Sequence, residues 1–497
     1  MINVSFHKCS CALALSLALV APSFALAEKV LRRANDLSYG GSESLDPLSP
    51  SRFYEVTDLI YNRLIRPTAD GGTAPELALT WVPNETAMEW TLTLRSGVRF
   101  HDGSDFEAAD VKYSLERIND PALESPVASV LGIISSVDVI DPLTVKINLS
   151  APHAGLPLLL YDYRVRMIPN GSGDMIASSG IGTGPFMLES FDAESMTQLV
   201  ANPNYWDGAP KLDRISFTAI ADQEARNQAM LAGQLDLNSL SRDQEPFYKD
   251  NPAFTLQNFP VGDWFGIAFL SDEGALTDPR VRKALRIAVD RQEMMNLLAG
   301  AGNAELTCDN PVKKSDPFRA DISCPQDITG AKALLAEAGY PDGIDIELYT
   351  SDLEPGMLQF SEVYQQQVAK AGIRIDLKVA PADGYWDNVW FYKNAMTSWG
   401  ERPADQWLNE VYRTGADWNE SHYANPAFDA LLDEARSTLD QARARDLYVK
   451  AQEMLFEEGS TFIPYQENGR RVMSSKVTGI APVGEDFIDW HLVDMAK

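Results

Sequence analysis

Strand-like and helix-like hydrophobic patterns alternate along most of this chain, and that alternation confines it to an α/β architecture. Trp90, Leu92 and Leu94 alternate with Thr91 and Thr93, the signature of a half-buried strand. Val145, Ile147 and Leu149 repeat the pattern, as do Ile373, Ile375, Leu377 and Val379. Asp278-Pro279 supplies a helix N-cap and then a proline at the first helical position. Val281, Ala284, Leu285 and Ala288 follow on one face, with Gly300 the expected stop. Asn425-Pro426 repeats the start signal and opens one long segment through Phe428, Leu431, Leu432 and Ala435 to Leu447, Met454 and Leu455. A further helix is predicted over 329–338, stopped by Gly339 and Pro341. A chain of 497 residues exceeds one core, so two or three domains are expected. No repeat period and no Gly/Ser linker separates them, which fits domains that exchange segments through short crossings better than domains strung in series.

Charge narrows the function. Lys and Arg number 42 against 71 Asp and Glu, a net charge of −29 that repels nucleic acid and anionic lipid headgroups. The plain reading of this acidity is a solubility device, with a surface for a cationic ligand as the alternative. At the N-terminus Lys8, an apolar run over 11–20 and Ala25-Leu26-Ala27 form the three parts of a secretory signal. The run is shorter than the ~20 residues that span a bilayer. A cleaved signal over 1–27 is therefore predicted, with a retained anchor as the alternative, and the mature chain acts outside the cytoplasm, in the periplasm. Cys9 and Cys11 precede or open the run and do not resemble a lipid attachment site. Cys308 and Cys324 remain, and an exported pair across a polar loop reads as a disulfide worth roughly 3 kcal/mol. The intervening Asp309, Asp316 and Asp321 are a poor set for zinc.

Catalytic signatures are absent from the sequence. The histidines after the signal, His101, His153, His422 and His491, are scattered, and neither H-E-x-x-H nor G-x-S-x-G occurs. Asp102-Gly103 is a turn dipeptide, His101 a turn or surface histidine. The following helix turns Val111, Leu115 and Ile118 to a core and Glu116 and Arg117 to solvent. Gly180-Ile181-Gly182-Thr183-Gly184-Pro185 imitates a nucleotide loop, but Phe186-Met187-Leu188 continues as a strand where a dinucleotide site needs a helix. A tight backbone crossover is expected there instead. No enzyme, cofactor or metal is predicted. The stretch 385–423 is the strongest ligand candidate, since Trp386, Trp390, Trp399, Trp407 and Trp418 make up half of the chain's 10 tryptophans. Glu401, Arg402, Asp405, Arg413 and Asp417 are interspersed, the makings of a desolvated pocket for a small polar molecule, although tryptophans also build ordinary core.

Several motifs share an order. Leu45-Asp46-Pro47 is followed by Tyr61-Asn62-Arg63-Leu64, by Pro75-Glu76-Leu77-Ala78 with Trp81, and by the segment from Arg95 through Phe100-His101-Asp102-Gly103 to Arg117. Gly182-Thr183-Gly184-Pro185-Phe186 and Asn202-Pro203-Asn204-Tyr205-Trp206 come next. Asp278-Pro279-Arg280-Val281-Arg282, Leu334 to Tyr340 and the Asn425-Pro426 helix complete the series. In this order they resemble the peptide/nickel class, family 5, of extracytoplasmic solute-binding proteins that feed ABC importers.

The resemblance implies a two-lobed α/β periplasmic-binding-protein fold with an extra domain and two hinge crossings. Lobe I would comprise 28–49, 182–267 and 472–497, the extra domain 50–181, and lobe II 268–471. The implied partners are a short peptide or amino-acid-derived ligand and a membrane permease, with no nucleic acid and a monomeric chain. A non-peptide solute such as an opine, an oligosaccharide or a nickel chelate is the alternative. In peptide-binding members an acidic side chain soon after a tryptophan like Trp399 holds the ligand ammonium, a role that falls to Glu401 or Asp405. Gly400 lies beside them. Gly41, Ser42 and Glu43 resemble the first-lobe edge that pairs with an extended peptide. The segment 351–360 has no arginine for a ligand carboxylate, so Arg402 is the candidate. Trp386, Trp390 and Trp399 would form apolar walls.

Overall fold

One strand, Phe254–Ala268, organises the molecule. Its first half pairs antiparallel with Tyr465–Ser474, from Phe254 opposite Ser474 to Pro260 opposite Asn468. Its second half pairs antiparallel with Ala395–Trp399, from Trp264 opposite Trp399 to Ala268 opposite Ala395. Between them the register shifts, leaving Val261 and Gly262 as a bulge. Gly262 has φ +85°, a conformation that L side chains rarely adopt, and a Cβ there would lie 3.3 Å from Glu401 and Lys313. A bulge bends and twists its strand, so the two halves serve different sheets. The chain returns beside it, because Tyr465, Gln466 and Glu467 pair with Ala304–Leu306 before Asn468 pairs with Pro260. In this computed structural model residues 28–35, 43–49, 51–68, 70–125, 127–241, 243–481 and 487–496 are described. The predicted signal segment 1–27 lies outside them, and no helix of the described residues is long and apolar enough to cross a membrane.

On one side of the bulge, Val30–Ala34 runs parallel between Arg214–Thr218 and Leu237–Ser239. Met196–Ala201 and Phe186–Ser190 extend that sheet antiparallel. On the other side, Ile344–Thr350 runs parallel to Ile373–Val379 and to Ala395–Trp399. Helices Pro279–Ile287, Ile328–Glu337 and Met357–Val368 bury Val281, Leu285, Leu335, Phe360 and Tyr364 against it. A four-stranded antiparallel sheet forms a third unit, in the order Ala78–Pro83, Glu89–Leu94, Thr144–Leu149, Ile134–Asp141. The predicted inward residues meet there: Trp90 faces Ile147 and Leu92 faces Val145, all buried, with Val111 and Leu115 of Ala108–Glu116 in the same core.

The shared motifs turn out to be structural. Asn62 donates to Glu76 at 2.6 Å and to the Tyr205 hydroxyl at 3.1 Å, while Thr183 and the Trp206 indole donate to its carbonyl oxygen. A Cβ at Gly182 would lie 1.9 Å from the Ile60 carbonyl oxygen and one at Gly184 2.4 Å from that of Leu59, so the glycine run is a close backbone crossing, as expected. His101 is half-buried in its turn and bridges to that crossing, its Nε2 donating to Gly184 O at 3.0 Å and its Nδ1 accepting from Gly182 N.

Three local expectations change. The run from Asp278 to Gly300 is two helices, Pro279–Ile287 and Arg291–Leu298, because Asp290 caps a new start by accepting from Glu293 N. The segment after Asn425 likewise divides into Pro426–Ser437 and Gln441–Glu458, with Asp440 capping the second. Arg117 is not solvated: it pairs with Asp46 at 2.5 Å, each side chain only 10% exposed.

Candidate functional site

Two adjoining cavities of about 540 and 520 Å³ open where the strand Phe254–Ala268 bulges, and Tyr54, Val261 and Asp263 line both. The first is closed by Gly400, Glu401, Arg402 and Pro403, which follow strand Ala395–Trp399, and by Asp162, Tyr163 and Arg164 of the third unit. Arg52 precedes helix Tyr54–Ile60 and joins that wall. The second is lined by Arg33, Asn238, Ser239, Phe259, Arg470, Arg471 and Trp490. The cleft therefore draws on segments hundreds of residues apart, brought together by the two strands that cross the bulge.

Its charges are organised by stacking and pairing. Arg52 lies 4.6 Å from the Tyr163 ring, Arg402 lies 4.7 Å from Trp399 and 5.3 Å from Trp407, and Arg471 lies 3.9 Å from Phe259. Such contacts hold a guanidinium by its face, for about 0.5–2 kcal/mol, and leave its edge for hydrogen bonds. Burial pushes the Arg402 guanidinium below its ordinary pKa, and the Glu410 carboxylate at 3.5 Å opposes that. Asp162 grips Arg164 at 2.8 and 2.5 Å. Burial alone would raise the Asp162 carboxyl, but the Arg164 charge holds it below the ordinary range.

The proposed site residues separate into groups. Gly400, Glu401 and Arg402 line the first cavity. Glu401 forms an ion pair with Lys313, and its backbone N–H donates to Asp263 at 3.2 Å. Asp405 does not line either cleft cavity. It is 2% exposed and accepts from Arg436 at 2.8 and 2.9 Å, Tyr448 at 2.6 Å and Asn409 at 3.1 Å, with His153 Nε2 at 3.1 Å. That environment fills its lone pairs, so the assignment of Asp405 to a ligand ammonium is replaced by a structural role. Burial alone would raise this carboxyl, but the charges of Arg436 and His153 hold it well below the ordinary range.

Trp386, Trp390 and Trp399 line neither cleft cavity: Trp390 and Trp399 are buried and Trp386 is half-buried against them. Trp386 meets Trp390 at 5.2 Å and Trp390 meets Trp399 at 5.6 Å. The Trp390 and Trp399 indole N–H groups both donate to Glu420, as does the Thr397 hydroxyl at 2.6 Å. Burial pushes the Glu420 carboxyl up to about 7, against the pull of those donors and of the Arg402 charge. Trp399 touches the cleft only through the Arg402 it supports. Gly41 and Ser42 lie outside the described residues, and Glu43 is half-buried and does not line either cavity. Cys308 and Cys324 are joined, with Cα atoms 5.4 Å apart.

Sequence reasoning missed Arg33, Arg52, Arg164, Arg470 and Arg471. One signal was available: in a chain this acidic, the adjacent pairs Arg32-Arg33 and Arg470-Arg471 stand out, and each falls inside a strand. Tyr161-Asp162-Tyr163-Arg164 also repeats the aromatic and charged composition of the tryptophan stretch.

Comparison with known proteins agrees with this architecture. The chain is 28% identical over 408 residues to the glutathione-binding protein GsiB of Escherichia coli strain K12, covering 78% of this chain and 79% of that one. Its fold matches HbpA2 of Haemophilus parasuis at a TM-score of 0.82 and 22% identity, over 94% of this chain and 100% of that one. It also matches the periplasmic binding protein DppA of Helicobacter pylori in complex with the peptide STSA, at a TM-score of 0.75 and 23% identity, over 94% and 98% of the two chains. The sequence model described as bacterial extracellular solute-binding proteins, family 5 Middle, matches residues 72–446, and the chain thus belongs to the family 5 bacterial extracellular solute-binding proteins.

Proposed function

We propose that this chain is the periplasmic receptor of an ABC importer, capturing a short peptide or related amino-acid-derived solute and passing it unaltered to the membrane permease. The observation that carries this reading is the pair of cavities straddling the Val261-Gly262 bulge, with walls from both sides of it. A solute bound there favours the closed arrangement through contacts that only this arrangement makes. Tyr54, Tyr161, Tyr163 and Trp490 offer flat apolar faces with polar edges. Similarity to a glutathione-binding protein and to a peptide-bound receptor supports a short peptide as the solute class. Gly400, Glu401 and Arg402 are the proposed contacts from lobe II, and Gly41, Ser42 and Glu43 remain proposed contacts from lobe I. The mature chain begins at Glu28 after signal cleavage and acts as a monomer. Its moving parts are 28–49, 182–267 and the C-terminal segment as lobe I, 50–181 as the extra domain, and the remainder as lobe II. Strand pairing supports a second crossing at 467/468, slightly before the 471/472 expected from sequence.

Mass spectrometry of the protein purified from a periplasmic extract, followed by calorimetric titration, tests the reading. Glutathione and short peptides should bind, with a fall in radius of gyration by solution scattering. Binding confined to an opine, an oligosaccharide or a nickel chelate, or conversion of the bound compound, would replace it.

A further inference from the structure

Several charged groups of the cleft are short of hydrogen-bond partners. Asp162 is held by Arg164, Asp58 by Arg166 and one oxygen of Glu401 by Lys313, while Glu401 Oε2 is buried without a hydrogen-bond partner. Among the described residues, however, Arg52 Nε and Arg402 Nε in the first cavity and Arg470 Nη1 in the second are buried without a hydrogen-bond partner. Arg402 Nη1 donates to Gly400 O at 3.1 Å, and the 3.5 Å approach of Glu410 to Nε forms no hydrogen bond. A buried donor left unmade costs about 1–3 kcal/mol, more on a charged group. A carboxylate is the strongest acceptor for such cationic donors, and unfilled donors stand at both ends of the cleft. The carboxylate of Asp263 stands exposed at the waist between those ends and lines both cavities.

Resting on the receptor reading above, we propose that the solute carries two carboxylates, one bound by Arg52 and Arg402 in the first cavity and one by Arg470 in the second, with its ammonium near Asp263. Guanidinium edges recognise carboxylates by paired N–H donation, and a face fixed against an aromatic ring loses little freedom on binding. A solute with a single carboxylate leaves one end of the cleft unmatched. Selectivity then follows from the cost of that unmatched cation in a desolvated site, which gives a site built on hydrogen bonding strong discrimination against analogues lacking the group.

The test uses the full mature protein, stripped of bound solute by unfolding and refolding, and isosteric probes. Di- and tripeptides containing glutamate are titrated against the same peptides with glutamine in its place, and glutathione against its monoethyl esters. The best glutamate peptide should bind at least tenfold more tightly than its glutamine counterpart, and esterifying either carboxylate of glutathione should lose at least tenfold. R470Q should abolish the preference for the glutamate peptide over its glutamine counterpart, and R402Q should weaken both. Equal affinity for the glutamate and glutamine peptides overturns the two-carboxylate assignment while leaving the peptide receptor intact. Failure of every peptide to bind overturns the receptor reading itself. The probe series on the unaltered protein decides the question even where a variant does not fold.

Discussion

Asp405 separates a structural role from a ligand-binding role within one substitution, D405N. The native carboxylate receives two N–H groups from Arg436, the Tyr448 hydroxyl and Asn409, and faces His153, with its own side chain 3% exposed and that of His153 1% exposed. An asparagine keeps the shape but presents one acceptor oxygen and an NH2 group that meets Arg436 or Tyr448 donor to donor. Removing one partner of a buried pair costs about 3–5 kcal/mol, because the other is left uncompensated. Arg436 is 28% exposed and can turn partly toward water, so a loss of about 3 kcal/mol is expected. For a lobe of this size each kcal/mol moves the melting midpoint by about 2–4 °C, giving a fall of about 6–12 °C by calorimetry on the stripped protein.

The pH dependence has a definite sign. The Asp405 carboxyl is depressed in the folded state, burial working against that and Arg436 and His153 outweighing it. Its contribution is complete above the unfolded-state value of about 3.9 and is lost as pH falls through the lower folded value. Wild type and D405N should differ by a constant amount at neutral pH and converge only in strong acid. A midpoint within about 2 °C of wild type, combined with a collapse of peptide affinity, would refute the structural assignment and return Asp405 to the ligand.

Three further outcomes are expected. Glu420, whose pKa burial raises to about 7, favours the protonated folded state, so its stabilising effect is full below about pH 4.3 and is lost as pH rises through 7; tryptophan fluorescence from Trp390 and Trp399 should titrate near pH 7 in wild type and stay flat in E420Q. G262A forces a side chain into positive φ beside Glu401 and Lys313, and should lower stability by about 1–2 kcal/mol in urea titration while weakening solute affinity, since the strained residue lies in the crossing strand. Replacing Cys308 and Cys324 with serine should cost about 3 kcal/mol by the same measurement, with peptide affinity at saturating stability unchanged, because neither cysteine lines the cleft cavities.

The fold was legible where local chemistry and burial agree. Trp90, Leu92 and Leu94 alternate because one face of their sheet is buried, and Asp278 and Asn425 announce helices because a cap needs only neighbouring N–H groups. The missed breaks at Asp290 and Asp440 are caps too, hidden inside runs whose apolar spacing continues across them. Of the candidate site residues, Gly400, Glu401 and Arg402 line the first cavity. Tryptophans 386, 390 and 399 looked like a ligand wall because an aromatic cluster with acids nearby has the same composition whether it surrounds a solute or surrounds Glu420. Asp405 misled for the same reason: its partners Arg436, Tyr448 and His153 are 31, 43 and 252 residues away, beyond any local pattern.

The chain's acidity and its cleft point in opposite directions, and distance reconciles them. A net charge of −29 repels polyanions whose charge extends along the surface. Charges more than a Debye length apart, about 8 Å at physiological salt, are largely screened from one another, so exterior carboxylates act weakly inside the cleft. The local set there is six arginines, 33, 52, 164, 402, 470 and 471, against five carboxylates, 55, 58, 162, 263 and 401. Asp58 and Glu401 are paired with Arg166 and Lys313, two cations outside the six. A small solute entering therefore meets a lining far richer in arginine than the chain as a whole, with the exposed Asp263 at its waist. Acidity in bulk composition and cation density at a site are separate properties of a folded chain, and the second arises only when two crossing strands bring residues 33, 52, 164, 402 and 470 to one bulge.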